Sequence, residues 1–342
     1  MSSSNVARVD PLSQFLTGPR AQAAFTLRVV MDPPFAIDVQ DGAALTLIVA
    51  VRGLAWISAE GSAPRSLGPG QAATVRGPAP YLVSDTPDRA PTVVIDAGQS
   101  CRTPSGDHLE LTLSQGVRTW GNSPHGDTVL LIGSYQTEAA AGQFVTSALP
   151  ALAAFTAGEV DPALLGLLEG ELACPGLGQE SALDRILDLL LLHLVRVSVR
   201  RSEDEVPNWA AGTRDPVVAL ALRLLHEEPA APWTVAELAR RAHVSRATMA
   251  ARFRAAVGQP PMTYLTAWRL ALAADRLAAG NATTAVIAEE VGYSNAFTFS
   301  TAFTRVYGTS PTGYRRSPHR TRRPTNRSLS TPVQAAGTTI PG

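Results

Sequence analysis

Arginine is the residue type whose chemistry indicates a function most clearly in this sequence, and it is concentrated toward the C-terminal end. All 29 basic residues of the 342-residue chain are arginine. Residues 1–213 combine 13 Arg with 22 acidic residues, a formal charge of −9, whereas residues 214–342 combine 16 Arg with 7 acidic residues, a charge of +9. Because a guanidinium donates two parallel hydrogen bonds to phosphate or to a guanine edge, this asymmetry indicates that the C-terminal part faces a polyanion. A basic surface without a nucleic-acid partner is the alternative.

Cysteine and histidine offer little for catalysis or metal binding. Cys101 and Cys174 are too few for a disulfide framework and are not spaced as metal ligands, although a redox role stays open. His108 and His125 lie in stretches rich in Gly, Pro and Asp, which are predicted to be loops. The sequence contains no nucleophile elbow, phosphate-binding glycine loop or dinucleotide fingerprint. These observations predict a protein that is not an enzyme and that holds no metal and no cofactor.

A helix-turn-helix pattern occupies residues 233–254. Thr234, followed three residues later by Glu237, predicts a capping box at the start of a short helix. A turn is expected at His243, after which Ser245 is predicted to cap a second helix. Two short helices joined by such a turn are typical of the helix-turn-helix, whose second helix lies in the major groove of DNA.

The same order of parts recurs in residues 283–305. Gly292 can adopt the left-handed turn conformation without strain, and either Ser294 or Asn295 is predicted to cap the second helix of this unit. A further helix over residues 262–279 is predicted to connect the two units. A generic helical bundle also contains short capped helices. Two such units in order, together with the excess of arginine, favour DNA binding over that alternative.

The first 140 residues have the pattern of a β-sheet domain. Short apolar runs rich in β-branched residues, such as 45–51, 92–95 and 128–132, are separated by Gly/Pro/Asp clusters. Many short strands with such punctuation favour an all-β barrel or sandwich. Trp56 and Trp120 are candidates to line a ligand cavity inside it, although a buried tryptophan more often belongs to a core.

Helical periodicity replaces the strand pattern from about Ala139 onward. It runs through residues 145–155, then 162–173, and then the leucine-rich segment 181–201. A helix as apolar as the last one either packs within its own domain or is shared with a second subunit, and a homodimer is expected in the second case. No apolar run is long enough to cross a bilayer, and the first residues lack the features of a signal peptide, so a cytoplasmic protein is expected.

Residues 215–316 resemble the DNA-binding domain of the AraC/XylS family of bacterial transcription regulators. The region before it is similar to the cupin-type sensor domain of one branch of that family, through residues 10–13, 67–70 and 149–150 and the strand-rich core. The residues that carry the C-terminal resemblance are Ser245, Arg246, Phe253, Gly258, Pro261, Tyr264, Arg269, Ala273, Leu277, Ile287, Ala288, Val291, Gly292, Tyr293, Phe299, Phe303, Gly308, Ser310, Pro311, Tyr314, Arg315 and Arg316.

The resemblance implies that the second helix of each unit enters the major groove, at successive positions about 34 Å apart on one face of the duplex. By position, the DNA-contacting residues of the first unit are Ser245, Arg246, Ala247, Thr248, Ala250, Ala251 and Arg252. Those of the second unit are Asn295, Ala296, Phe297, Thr298, Ser300, Thr301 and Arg305. The alanines offer only methyl contacts, for instance to thymine, and Thr301 stands where family members often carry arginine. Metal-binding cupins require a His-x-His pair, and residues 1–107 contain no histidine.

The sequence therefore predicts an α+β chain of two domains. An N-terminal all-β cupin-like barrel with a helical connector precedes a C-terminal all-α domain with two helix-turn-helix subdomains. The expected boundaries are residues 1–140 for the sensor barrel, 141–201 for the connector and dimerisation region, 202–213 for the linker, 214–316 for the DNA-binding domain and 317–342 for a disordered tail.

The predicted function is sequence-specific transcription regulation on double-stranded promoter or operator DNA. A small-molecule effector at the N-terminal domain is expected to control it, and RNA polymerase is a further candidate partner. The alternative is a ligand-binding module that regulates through protein contacts and binds DNA only weakly. The alanine-rich second helix of the first unit favours this alternative.

Overall fold

The computed structural model of the chain describes residues 24–98, 100–109, 113–116, 119–135, 140–146, 149–173, 176–201, 209–280 and 282–316. These residues divide into two compact units, one formed by the chain up to Glu228 together with Trp233–Trp268, the other by Pro229–Pro232 and the chain from Arg269 onward. The predicted motif at residues 10–13, Cys174, residues 202–208 of the linker and the tail at 317–342 lie outside the described residues.

The N-terminal region folds into two β-sheets, which confirms the predicted all-β class. The described strands are β1 (Ala24–Met31), β2 (Ala36–Val39), β3 (Leu45–Arg52), β4 (Ala55–Ala59), β5 (Arg65–Leu67), β6 (Ala72–Arg76), β7 (Tyr81–Ser84), β8 (Val93–Ile95), β9 (Cys101–Arg102), β10 (Ser114–Gly116), β11 (Thr119–Trp120), β12 (Thr128–Tyr135) and β13 (Leu152–Phe155). The larger sheet has the strand order β10-β11-β1-β12-β3-β6-β13, and the smaller one has the order β5-β4-β7-β2-β8-β9.

Strand β12 lies at the centre of the larger sheet and is buried along its whole length. Because successive side chains of a strand point to opposite faces, its residues contribute alternately to two hydrophobic cores. Leu130 and Ile132 belong to a core shared with residues of the smaller sheet. Leu131 and Tyr135 belong to a second core, which includes the leucines of the long helix described next. The larger sheet is therefore covered on both faces.

Three helices follow in the described part of this region: α1 (Ala140–Thr146), α2 (Pro162–Ala173) and α3 (Gln179–Arg201). Helices α2 and α3 cover the outer face of the larger sheet. The buried leucines of α3 that were predicted to form its apolar stripe, among them Leu183, Leu187, Leu190 and Leu194, lie in the second core. Most of the apolar surface of α3 is thus used within the protomer, whereas Leu189 remains 54% exposed.

The predicted helix over residues 145–155 is wrong in its second half. Leu152–Phe155 forms strand β13, which pairs antiparallel with β6, Leu152 opposite Val75 and Phe155 opposite Ala72. The Leu-Ala-Ala-Phe sequence suits a helix locally, but pairing satisfies the backbone groups along one edge of the larger sheet and buries Phe155. Tertiary pairing therefore overrides the local propensity.

The C-terminal region is helical, as predicted. Its helices are α4 (Trp209–Gly212), α5 (Pro216–Glu227), α6 (Val235–Arg241), α7 (Arg246–Val257), α8 (Pro261–Ala279), α9 (Thr284–Glu290), α10 (Ala296–Tyr307) and α11 (Pro311–Arg316). The short helix α4 occupies the end of the segment that was predicted to be linker. Trp209 is buried, and a Cβ atom at Gly212 would lie 2.9 Å from side-chain atoms of both Leu222 and Val257. Residues 209–212 are thus packed against α5 and α7.

No helix among the described residues combines the length and the hydrophobicity that a membrane crossing requires.

The contribution of the second core to stability can be tested at two leucines, one in β3 and one after it. Leu47 in β3 is completely buried in that core, whereas Leu54, between β3 and β4, is 50% exposed. We expect Leu47→Ala to lower the free energy of unfolding by about 2–5 kcal/mol, because it removes buried methyl groups and leaves a cavity. The matched variant Leu54→Ala is expected to change it by less than about 0.5 kcal/mol. Urea denaturation measures both, and equal effects would contradict the assignment of the core.

Candidate nucleic-acid interface

The first helix-turn-helix unit is formed by α6 and α7, and each helix begins at the residue that the sequence indicates. The Thr234 hydroxyl accepts a hydrogen bond from the Glu237 amide at 3.1 Å, and the Ser245 hydroxyl accepts one from the Thr248 amide at 3.0 Å. Gly258 ends α7 in the left-handed conformation, with φ of 84°. These caps satisfy backbone groups that the helices leave unpaired, so both ends of α7 are fixed locally.

The predicted capping box is only half formed. Its second hydrogen bond would bring the Glu237 carboxylate back to the backbone at Thr234. Instead the carboxylate pairs with two arginines of the same helix, Arg240 and Arg241, the latter at 3.0 Å. Residues spaced by three and four are neighbours on a helix surface, so Arg240 binds one oxygen of the Glu237 carboxylate and Arg241 binds the other.

The second unit, formed by α9 and α10, repeats this construction. The Thr283 hydroxyl accepts from the Val286 amide at 3.3 Å, and the Asn295 side-chain oxygen accepts from the Thr298 amide at 2.8 Å. Of the two predicted caps for α10, Asn295 is therefore the one used. Gly308 ends α10 in the left-handed conformation, with φ of 70°. Helices α7 and α10 each contain 12 residues.

The turns of the two units have different residues in the left-handed position. The left-handed position is taken by His243, with φ of 54°, in the first turn and by Gly292, with φ of 86°, in the second. Among the described residues, His243 is the sole non-glycine residue with positive φ. It is exposed, so its side chain meets no steric obstacle, although the conformation is costly for a residue with a Cβ atom.

Gly292 is fixed by a close backbone approach. A Cβ atom there would lie 2.7 Å from both the Cα and the carbonyl oxygen of Ala230. The guanidinium of Arg269 holds the surrounding backbone: its Nε donates to the Pro229 carbonyl at 2.6 Å, and its terminal nitrogens donate to Ala231 at 2.8 Å and to Gly292 at 3.1 Å. Burial lowers the pKa of Arg269, but three carbonyl oxygens stabilise its charge. The hydrogen bonds of Arg269 thus stabilise the backbone around Gly292.

Aromatic side chains form the buried base of each unit. In the first unit, His226 Nε2 and the Tyr264 hydroxyl lie 2.7 Å apart in the core, and Tyr264 also contacts the ring of Phe253. In the second unit, the ring centroids of Phe303 and Tyr307 lie 4.5 Å apart, and Phe303 also meets Tyr314 edge to face. Phe253 and Phe303 hold the inner faces of α7 and α10, so the opposite face of each helix is left to solvent.

The structure places the predicted contact residues of the first unit on α7 or at its cap, with different exposure. Ser245, Arg246, Ala247, Thr248 and Ala251 are exposed, and Ala250 is half-buried. The Ser245 and Thr248 hydroxyls are 2.8 Å apart as part of the cap.

Arg252 is also half-buried, and it has a partner within the protein. Its Nε donates to the Asp215 carboxylate at 2.7 Å. The same carboxylate caps α5 by accepting from the amides of Val217 and Val218 at 2.8 and 3.2 Å. Burial opposes ionisation of Asp215, but these hydrogen bonds outweigh it and hold the pKa of the carboxyl below its ordinary value. Arg252 therefore supports the start of α5 in addition to any contact with DNA.

The predicted residues of the second unit lie on α10 or at its cap. Asn295, Phe297, Thr298, Thr301 and Arg305 are exposed, whereas Ala296 and Ser300 are half-buried. Phe297 is 83% exposed, unusually high for a large apolar side chain. The Thr301 hydroxyl donates to the Phe297 carbonyl at 3.0 Å.

Arg254 is an exposed residue that the predicted set omits. It follows Ala247 and Ala251 by seven and three residues, which places all three on one face of α7, opposite the buried Met249 and Phe253. The helical spacing alone identifies this position, because the exposed face continues one turn beyond Ala251. No ion pair within the described part of the chain involves Arg246 or Arg254.

Comparison with known proteins shows the family of the chain. It matches two protein families, one described as Cupin over residues 10–200 and one described as Helix-turn-helix domain over residues 238–317. An AraC-like transcription regulator of Streptomyces lividans is 33% identical over 316 residues, which make up 91% of this chain and 99% of that protein. The chain belongs to the AraC family. A second AraC-like transcription regulator, from Streptomyces antibioticus, is 33% identical over 318 residues, again 91% of this chain and 99% of that protein.

A solved structure is also similar to part of this AraC-family regulator. The DNA-binding domain of AdpA, a global transcriptional factor crystallised with a target DNA, is 28% identical and covers 30% of this chain and 92% of that chain, with a TM-score of 0.29. The family membership confirms the predicted combination of a cupin region with a helix-turn-helix DNA-binding domain. The predicted spacing of about 34 Å between the two reading helices stays a prediction.

Because the left-handed position is occupied by His243 in one turn of this AraC-family regulator and by Gly292 in the other, substitutions at the two positions are expected to change the free energy of unfolding by different amounts. Gly292→Ala is expected to lower the free energy of unfolding by roughly 2 kcal/mol or more, since the added Cβ meets backbone atoms and the left-handed conformation becomes strained. His243→Gly is expected to change it by less than about 1 kcal/mol, because an exposed strained residue is replaced by one that tolerates positive φ. Urea unfolding followed by circular dichroism measures both. A larger loss for His243→Gly than for Gly292→Ala would contradict this account.

Proposed function

We propose that this AraC-family transcription regulator reads specific DNA sequences with the exposed faces of α7 and α10. The observation that carries the proposal is the equivalent construction of the two helices. Each has 12 residues, a polar N-cap, a left-handed glycine at its end and a buried aromatic inner face. What remains exposed on each is a short helical face of the size that the major groove accepts.

The two faces differ in chemistry, so they suit different base contacts. On α7, Arg246 and Arg254 can each donate two hydrogen bonds to guanine or contact phosphate, while Ala247 and Ala251 offer methyl groups. On α10, the exposed ring of Phe297 suits apolar contact with a thymine methyl group. The alternative is a protein that regulates by protein contact and binds DNA weakly. The alanines of α7 support that alternative, whereas the exposed arginines support DNA reading.

The cupin region is proposed to bind a small-molecule effector that controls DNA binding. The support is the arrangement of β12, whose side chains contribute both to the interior between the sheets and to the core that holds α3. We further propose that the protein acts in the cytoplasm, by binding rather than by catalysis, and that RNA polymerase is one of its partners. Support comes from its membership in a family of bacterial transcription regulators.

A homodimer is proposed through α2 and α3. These helices pack on one another and on the larger sheet, yet Leu167 and Leu189 remain 58% and 54% exposed. Leu189→Glu is expected to convert a dimer into a monomer in sedimentation equilibrium, because a carboxylate cannot be buried at an apolar interface without a partner. Leu54→Glu, at a site of similar exposure away from these helices, should leave the mass unchanged. A wild-type monomer at all concentrations would remove the proposal.

DNA reading is tested by gel shift of the full chain on the region upstream of its own gene. Arg246→Ala is expected to weaken binding by roughly 5- to 150-fold if the side chain contacts guanine, with relaxed specificity at one base pair. A phosphate contact instead predicts uniform weakening and a salt slope lower by about one. The melting temperature should not change, since Arg246 is exposed and unpaired within the described chain.

Two control variants separate the interpretations of the gel shift. Arg65→Ala on β5 removes the same charge from an exposed site of the cupin region and should leave DNA affinity unchanged. Arg252→Ala is expected to lower the melting temperature, since it removes the partner of the Asp215 cap. Wild-type affinity in both Arg246→Ala and Arg254→Ala would show that α7 does not read DNA and would favour regulation by protein contact.

A further inference from the structure

Arg252 is an arginine of α7 whose guanidinium is only partly used within the protein. Its Nε donates to Asp215 Oδ2 at 2.7 Å, whereas its terminal nitrogens make no hydrogen bond within the described chain and are not buried. The side chain of Arg252 is 41% exposed. Because the donors of a guanidinium lie in one rigid plane, fixing Nε also restricts where the terminal nitrogens point. Arg252 therefore has donors available to a partner outside the protein.

Asp215 is held in place independently of Arg252. Its Oδ1 accepts hydrogen bonds from the amides of Val217 and Val218, at the start of α5. A carboxylate is favourable at this position because the N-terminus of a helix carries a partial positive charge. The two oxygens of Asp215 thus have separate partners, α5 for Oδ1 and Arg252 for Oδ2. Asp215 can therefore act as a fixed anchor for the guanidinium.

Arg252 lies at one edge of the exposed face of α7. Successive residues of an α-helix are rotated by about 100°, so Arg252 and Arg254 lie on opposite sides of Ala251. Ala251 is exposed, and Phe253 on the other side of the helix is buried. An arginine therefore borders the exposed face on each side. A helix in the major groove has a phosphate backbone on either side, so arginines at its edges are placed to bind phosphate.

We infer that Asp215 is a positioning residue for DNA binding, which holds Arg252 so that its terminal nitrogens bind a backbone phosphate at the edge of the major groove. One guanidinium can bind two anions because its donors lie along different edges of the same plane. The inference rests on the proposed DNA reading by α7. It adds to that function a residue that lies outside both helix-turn-helix units.

The benefit of Asp215 is that Arg252 is already ordered before DNA binds. Ordering a long side chain at an interface costs free energy, and the anchor removes part of that cost. A carboxylate that competed with DNA for Arg252 would have the opposite effect, because it would have to be displaced on binding. The two roles of Asp215 therefore predict opposite changes in affinity when its charge is removed.

Asp215→Asn separates the anchor from the helix cap. Asparagine caps a helix as well as aspartate does, but its amide group cannot accept a hydrogen bond from Arg252 Nε. In a gel shift of the full chain on the region upstream of its own gene, we expect Asp215→Asn to weaken binding by roughly three- to tenfold. The salt slope should not change, since the phosphate contact is still made.

Substitutions of Arg252 test the phosphate contact itself. Arg252→Ala is expected to weaken binding and to lower the salt slope by about one. Arg252→Lys keeps the charge but not the planar fork, so it should retain the wild-type slope with roughly three- to tenfold weaker binding. In the Arg252→Ala chain, adding Asp215→Asn should cause no further loss of affinity. Circular dichroism establishes a temperature at which every variant is folded, and affinity is measured there.

Glu237→Gln is the matched control for the loss of a carboxylate. The side chain of Glu237 is 22% exposed and that of Asp215 is 23% exposed, and both are paired with arginine. The arginine partners of Glu237 belong to α6, so Glu237→Gln should not weaken DNA binding.

Three results would overturn the inference. Unchanged or tighter binding by Asp215→Asn would show that the carboxylate does not assist Arg252. The same loss from Asp215→Asn in the wild-type and Arg252→Ala chains would show that its role is only structural. A wild-type salt slope in Arg252→Ala would exclude the phosphate contact. Failure of the wild-type chain to shift the DNA would instead contradict the proposed DNA reading, so the two failures are distinguishable.

Discussion

An α-helix leaves its first amides and its last carbonyls unpaired, and the two reading helices depend on how those groups are satisfied. Ser245 and Asn295 provide the N-terminal partner, and left-handed glycines at 258 and 308 end the helices after equal lengths. Pro261 and Pro311 then begin the next helices, α8 and α11. The caps and the prolines therefore fix where α7 and α10 begin and end. Because each helix is short and has its own N-cap and its own terminal glycine, each unit leaves one compact face to solvent.

Features encoded by neighbouring residues could be predicted from the sequence. Caps, turn residues and the apolar spacing of α7 and α10 all lie within one or two helical turns, so Ser245, Gly292 and Phe303 could be assigned without knowledge of the fold. The strand-rich class of the first 140 residues follows from the same local logic. The exposed position of Arg254 could have been predicted in this way too, since it requires only that the helical period be continued.

Features that depend on distant partners could not be predicted. Leu152–Phe155 becomes a strand because β6 offers an unpaired edge, and Trp209–Gly212 becomes a helix because α5 and α7 receive it. The sequence predicts that the whole excess of arginine contacts nucleic acid. Yet Arg252 binds Asp215, and Arg269 holds three backbone carbonyls, contacts across 37 and up to 40 residues. A count of charges cannot distinguish an arginine that contacts a phosphate from one that organises backbone.

Strand β12 links the space between the two sheets to the helices outside them. Ile132 lines a cavity of about 100 Å³ between the sheets, while its neighbours Leu131 and Gly133 face α3, where a Cβ atom at Gly133 would lie 3.3 Å from Leu187. A substitution at Ile132 that moved the β12 backbone would therefore also change how α3 packs. Val39 and Val83 line the same cavity but belong to the smaller sheet and to the core without α3. Substitutions at these two valines would reshape the cavity while leaving the packing of α3 intact.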